Sequence, residues 1–325
     1  MKLVRRQFLR ITWAAAVMPA LSRFAHAEAY PVRPARIVAG YAAGSGLDVY
    51  ARLIGQWLSG KLGQNFIVEN RVGAGTNLAV ETVVNAAPDG YTLLMASAAQ
   101  FTNATLYKNL NFDFIRDTVP VASVARGPFI IVVNPLFPAK TTVELIAYAK
   151  ANPGKVTFGS SGTGTLSHVS GELFKSMAGI NMIHVPYRGE PPAITNLMAG
   201  QLDVFFSTAA GSSEFVRSGK LRALGVTSAQ RLAAFPDVPT VGETLPGYDA
   251  TPWAGICAPK GIPAAIVSKL NATINAGLAD PKLKAQFDNM GSPVAPMSPE
   301  DYGKAIVAQT EKWAKVIHDA GIELK

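Results

Sequence analysis

A single cysteine, Cys257, excludes an intramolecular disulfide, so stability must come from core packing alone. Histidine is almost as scarce. His168, His184 and His318 are the three beyond the N-terminal segment, and none is spaced with another residue as a metal motif. Several enzyme signatures are also missing. A nucleophile elbow needs Gly-x-Ser-x-Gly, and Gly159-Ser160-Ser161-Gly162-Thr163 lacks the final glycine. No P-loop lysine follows any glycine turn, and the Gly-x-Gly starts at Gly44, Gly73 and Gly162 lack the third glycine of a dinucleotide fingerprint. No basic run interleaved with aromatics argues for nucleic acid.

What the first 27 residues hold is an address. Arg5-Arg6-Gln7-Phe8-Leu9-Arg10 is a twin-arginine signature, followed by an apolar run from Ile11 to Leu21 and the small-residue cleavage pattern Ala25-His26-Ala27. The apolar run, 11 residues, falls well short of the roughly 20 that span a bilayer. Cleavage after Ala27 places the mature chain in the periplasm with Glu28 first. It also removes Lys2, Arg5, Arg6, Arg10 and Arg23 and no acid, so the formal charge falls from +8 to +3. That balance leaves room for a small acidic ligand. With 49% apolar residues, the mature chain can build two ordinary domains.

Apolar runs of strand length alternate with amphipathic runs of helix length, which predicts an α/β fold with mainly parallel sheets. Arg36 to Arg52 sets the pattern. Ile37 and Val38 favour a buried strand, Gly44-Ser45-Gly46 leaves backbone amides uncovered, and Tyr50, Leu53, Ile54, Trp57, Leu58 and Leu62 recur on one face of a helix starting near Leu47. A helix N-terminus behind bare amides is an anion site in waiting; the plainer reading is a tight turn that binds nothing. The unit is built again at Val156 to Met177, around Gly159-Ser160-Ser161-Gly162-Thr163-Gly164-Thr165 and a helix from near Leu166. Strands ending at Ser97-Ala98-Ala99-Gln100 and Ser207-Thr208-Ala209-Ala210-Gly211 are small and polar where a strand meets a pocket. A helix is expected to run through Ala86, and Thr141 with Glu144 reads as a capping box. Chain crossings are expected at Arg126-Gly127-Pro128 and between about Thr227 and Ala250, with helices opening near Pro263, Pro281 and Pro299.

Individual polar residues keep two readings each. His168, just past its loop, either points into a cleft or packs. Asp48 either complements its helix dipole or meets a ligand. Arg188 is either a partner for a carboxylate or a solvated loop cation. Tyr41 and Tyr187, one per half, either close over a ligand or line the domain interface.

The chain resembles the Bug or TctC-type extracytoplasmic solute receptors, the periplasmic binding components associated with tripartite tricarboxylate transporters. The resemblance runs from about Tyr30 to Ile322. Tyr30-Pro31-Val32-Arg33-Pro34, Val68 to Gly75 (VENRVGAG), Ala87 to Leu94 (APDGYTLL), Gly171 to Lys175 (GELFK), His184 to Gly189 (HVPYRG), Gly219 to Leu224 (GKLRAL) and Pro236 to Thr240 (PDVPT) carry it by their shared order. It implies a two-domain periplasmic binding protein of the Venus flytrap, type II-like class, without enzymatic activity, cofactor or metal. Each lobe is a mainly parallel sheet flanked by helices, with residues 28–125 and 250–325 in lobe 1 and 126–249 in lobe 2.

The implied ligand is a small carboxylate, whether dicarboxylate, aromatic acid, amino acid or similar, held by the two glycine loops. Carried over by position, the first loop is Tyr41, Ala43, Gly44, Ser45, Gly46 and Asp48. The second is Ser160, Ser161, Gly162, Thr163, Gly164, Thr165 and His168, with Ser97, Tyr187, Arg188, Gly189 and Asp203 nearby. Membrane components of the transporter are the implied partner, and a monomer is expected. The first loop departs from the family pattern: Gly40, Ala42 and Ala43 stand where prolines are usual, and Ser45 where a glycine is. Two other functions fit the same residues: an exported small-molecule hydrolase using His168 with Ser160 or Ser161, or a sensory binding protein serving a signalling receptor.

Overall fold

The computed structural model describes residues 30–319 and 321–323, so the twin-arginine segment lies outside the described residues. From Arg33 onward the chain forms one compact unit built on two five-stranded sheets. The first run is β1 (Ala35–Ala39), α1 (Gly46–Leu62), β2 (Phe66–Asn70), α2 (Asn77–Val84), β3 (Thr92–Ala96), α3 (Ala99–Leu106), α4 (Phe114–Asp117) and β4 (Thr118–Arg126). The second is β5 (Phe129–Val133), α5 (Thr142–Ala151), β6 (Thr157–Ser160), α6 (Leu166–Ala178), β7 (Ile183–Pro186), α7 (Glu190–Met198), β8 (Val204–Thr208), α8 (Ala209–Arg217) and β9 (Arg222–Val226). The chain then returns through β10 (Trp253–Pro259) and closes with α9 (Ala264–Leu278), α10 (Pro281–Asn289) and α11 (Pro299–Asp319).

The first sheet has the order β2-β1-β3-β10-β4 and the second β7-β6-β8-β5-β9. These are one topology used twice. In each, three strands linked through helices run parallel, and the fourth position is taken by the strand that has just crossed from the other sheet, antiparallel to both neighbours. Two mixed, mainly parallel sheets with helices on their faces make the Venus flytrap architecture. The strands are buried accordingly, with every residue of β3, β5 and β10 in the core.

The two crossings lie side by side. Gly127 N–H donates to Pro252 O at 3.1 Å, and Ala250 N–H to Thr227 O at 2.8 Å. The Thr227 hydroxyl meets Ala250 O at 2.7 Å and accepts the Phe129 N–H at 2.8 Å. Local expectations fail in two places. The helix expected through Ala86 ends at Val84, where Asn85 turns its side chain back onto the Glu81 carbonyl. The Thr141–Glu144 box closes only halfway: Thr141 accepts the Glu144 N–H, but Glu144 reaches Lys140 N–H rather than that of Thr141. The reciprocal box is Thr240 with Glu243.

Candidate functional site

Four strand-to-helix turns, β1 to α1, β3 to α3, β6 to α6 and β8 to α8, sit at the C-terminal ends of parallel strands, the ligand side of an open α/β sheet. They enclose a cavity of about 50 Å³. Ser45 and Leu47 come from the first turn, Ser97, Ala98 and Ala99 from the second, Ser161, Leu166 and Ser167 from the third, and Thr208 from the fourth. Tyr41, Tyr50, Phe129, Pro252 and Trp253 fill the walls, with Gly127 and Ala254 at the crossings. Four positive helix ends converge, and among the described residues no lysine, arginine or histidine lines the space. The charged group in its lining is Glu190.

Glu190 was not singled out by the sequence, where an acid opening a helix reads as ordinary dipole complementation. In three dimensions its carboxylate is 2% exposed and bridges the two sheets. Oε2 accepts the Gly46 N–H and the Thr208 hydroxyl, both at 2.9 Å; Oε1 accepts the Thr208 N–H at 2.5 Å and faces the Ser207 hydroxyl at 3.4 Å. Burial pushes its pKa up, and these donors pull against that shift. Gly46 permits the approach: a Cβ there would stand 2.3 Å from the Thr208 hydroxyl oxygen.

The first loop is held by Asp48. Burial raises this carboxyl, but bonds from Arg52, the Gly44 N–H and Asn70 outweigh burial and leave its pKa below the usual range. Ser45 is the N-cap, accepting the Asp48 N–H. Ala43 and Gly44 are exposed at the rim. Tyr41 packs inward with its hydroxyl bonded to Ser97, and burial raises its pKa strongly.

The second loop spends most of its amides on itself. Ser161 N–H donates to Ser167 Oγ, Gly162 N–H to Ser160 Oγ, Gly164 N–H to His168 Nδ1 and Thr165 N–H to Gly162 O. The expectation of bare amides therefore needs correction in both loops, since in the first the Gly44, Ser45 and Gly46 N–H groups go to Asp48 Oδ2, Ala42 O and Glu190 Oε2. The donors left over in the second are the Thr163 N–H and those of the first turn of the helix it starts, among them Leu166 and Ser167. The loop's carbonyls bind the other sheet: Gly164 O lies 2.8 Å from the Thr102 hydroxyl, and Thr163 O accepts from Tyr107 at 3.1 Å.

Other expected residues lie elsewhere. His168 stacks on His184 with centroids 3.9 Å apart and lines a separate cavity with Glu172 and Lys175. Asp203 sits at the far end of β8, accepting the N–H and hydroxyl of Thr157 at 2.8 Å each. Tyr187 and Arg188 line an outer cleft of about 770 Å³ with Gly40, Ala42, Gly162 and Thr163. Arg188 is exposed, and Tyr187 accepts from Asn196 at 3.0 Å. Gly189 brings α7 against the first loop; a Cβ there would lie 3.0 Å from that of Ala42. The serine–histidine pairing of a hydrolase forms differently from the expected one. Ser160 Oγ meets His184 Nε2 at 2.7 Å, and Ser160 is fully buried. Among the described residues no cluster of three metal-ligating side chains occurs, and no helix is long and apolar enough to cross a membrane.

Residues 50–322 match the family described as tripartite tricarboxylate transporter family receptor. The chain is 33% identical over 302 residues to the protein BugT of Bordetella pertussis, covering 92% of this chain and 93% of that one. Among solved structures it superposes on R. palustris Rpa4515 with adipate at a TM-score of 0.88 and 32% identity, covering 90% of this chain and 99% of that one. It superposes on the periplasmic binding protein BugD at 0.87 and 33%, covering 91% and 100%.

Proposed function

Because the chain belongs to the tripartite tricarboxylate transporter receptor family, we propose that it is a periplasmic solute-binding protein that captures a small carboxylate between its lobes and delivers it to a tripartite tricarboxylate-type membrane transporter. The observation that carries this reading is the cavity itself: four helix N-termini and a ring of hydroxyls around a space without a cation. Such a site favours a carboxylate through fixed dipoles and hydrogen bonds and offers no nucleophile with an aligned base. Lobe 1 is taken as residues 28–125 with 250–325 and lobe 2 as 126–249. Contacts from the second lobe, complete only on closure, shift the open-to-closed balance toward the form that the membrane partner reads.

The test is a thermal-shift screen of residues 28–325, stripped of co-purified ligand by unfolding and refolding, against carboxylic acids and their neutral amides. At a hundredfold excess over Kd, a binding acid stabilises the fold by roughly 2.7 kcal/mol. Acids that raise the melting point while their amides do not are the expected result; equal response to acids and amides, or none to either, refutes the clamp. Export is tested separately: replacing Arg5 and Arg6 by lysine should leave unprocessed protein in the cytoplasm.

A further inference from the structure

Two of the four helix ends are already occupied by an anion, and that anion belongs to the chain. We propose that Glu190 supplies one carboxylate of the site internally, so that the ligand is a monocarboxylate with an apolar or aromatic body rather than a di- or tricarboxylate. This rests on the proposed function and narrows it.

Backbone N–H groups can only donate, and each Glu190 oxygen faces one, Gly46 N–H on Oε2 and Thr208 N–H on Oε1. Both oxygens are therefore engaged as acceptors, the arrangement that favours the ionised form. Among the described residues no cation lies within salt-bridge distance of Glu190, so the positive ends of α1 and α8 are its counter-charge.

What remains for a ligand is the α3 and α6 side of the cavity. There the Leu166 and Ser167 N–H groups are the donors for one carboxylate, because the Ser97 hydroxyl already donates to Gln100 Oε1 at 3.1 Å and that of Ser167 to Thr165 Oγ1 at 3.0 Å. Trp253, which also lines the cavity, is 8% exposed, and its indole N–H has no hydrogen-bond partner. An apolar part of the lining is formed by Leu47, Tyr50, Phe129 and Trp253. A second ligand carboxylate would be desolvated against that wall, beside a like charge and with no cation to pair with. An alkyl chain or ring placed against that wall would carry no such cost.

The experiment is calorimetric titration of residues 28–325 with matched pairs, hexanoate against adipate and benzoate against terephthalate, repeated on Glu190→Gln. In the wild type the monoacid of each pair should bind at least tenfold tighter than the diacid. Glu190→Gln keeps the side chain's shape and removes its charge, and should shrink that ratio at least tenfold. A diacid that binds the wild type as tightly as its monoacid overturns the inference while leaving the carboxylate clamp intact. Monoacid preference unchanged in Glu190→Gln overturns the role given to Glu190. Silence from all four acids overturns the clamp and the inference with it. Because the wild-type ratio alone decides the ligand class, the test stands even where Glu190→Gln fails to fold.

Discussion

Acid should unfold this protein through two histidines. His168 and His184 stack at 3.9 Å against Phe158, and the Lys175 ammonium lies 5.4 Å from the centroid of that ring. Burial, helped by Lys175, draws the His168 pKa down to about 4. Burial, then the neighbouring His168 and Lys175, draws His184 down to about 3. Glu172, 3.8 Å from His168, would favour the protonated ring, but Lys175 already pairs with both of its oxygens at 3.0 and 2.8 Å. Both folded-state values lie below the roughly 6.5 of an unfolded histidine, so the unfolded chain binds more protons across that window. Stability is full above about 6.5 and drains as pH falls toward the folded values. At pH 5, about 1.5 units into the window, each ring costs about 2 kcal/mol at 1.36 kcal/mol per unit, and the pair about 4. Against a total of 5–15 kcal/mol that is a large share. Urea melts at pH 7.5 and pH 5 measure it: the wild type should lose about 4 kcal/mol between them, and His168→Gln or His184→Gln only about 2. A variant that keeps the full loss refutes the assignment, and a wild type flat between the two pH values refutes the argument from burial.

Gly46 is the first residue of α1, outside the helix interior where Ala gains most over Gly, and in Gly46→Ala the new Cβ meets Thr208 Oγ1 at 2.3 Å and the Ala210 Cβ at 3.2 Å. Ligand affinity should therefore fall at least tenfold, and small-angle scattering should report a larger radius of gyration; unchanged affinity would deny that the observed approach is the binding form. Tyr107→Phe removes the bond to Thr163 O and should weaken binding by about 1 kcal/mol, read by calorimetry. Asp48→Asn leaves Arg52, Asn70 and the Gly44 N–H facing a neutral amide, and should cost about 2 kcal/mol in urea melts at pH 7. That difference should narrow as pH falls below about 4, where the unfolded carboxyl begins to protonate, and vanish below the depressed folded-state pKa.

The sheets were legible because each unit carries its own punctuation. Glycine, serine and alanine gather where β1, β3, β6 and β8 end, since side chains larger than these would close the cavity. Gly127-Pro128, two residues between β4 and β5, is too short for a parallel crossover within one sheet, and instead of turning back as a hairpin the chain passes into the second sheet. What sequence hid is where each hydrogen bond ends. Thr141 and Glu144 have the same spacing as Thr240 and Glu243, yet only the second pair closes its box, because Glu144 finds the Lys140 N–H instead. Glu190 reaches Gly46 across 144 positions. In the second loop, small residues suggest free amides, whereas Ser160, Ser167 and His168 turn back to cover them. His168 shows the limit most plainly: its place at the start of α6 suits a ligand contact, and only the position of His184 on β7 tells which way the ring turns.

The placement of donors on both sheets has an energetic consequence that a lysine or arginine on one sheet would not have. A cation on one lobe would hold a carboxylate nearly as well open as closed, and a ligand with equal affinity for two states shifts neither. In the proposed clamp the ends left to the ligand are those of α3 on the first sheet and α6 on the second, so a carboxylate would complete its bonds only when the lobes meet. Moving the balance from 1:99 to 99:1 takes about 5.5 kcal/mol of differential affinity. Hydrogen bonds to a charged group contribute about 1.5–3 kcal/mol each, so two to four bonds from the second lobe suffice. Glu190 works in the same direction before any ligand arrives, since its carboxylate spans Gly46 on one lobe and Thr208 on the other. The ligand-free balance is thus biased toward closure, and Glu190→Gln should raise the ligand-free radius of gyration in small-angle scattering. An unchanged radius would mean that the Glu190 bridge forms without holding the lobes together.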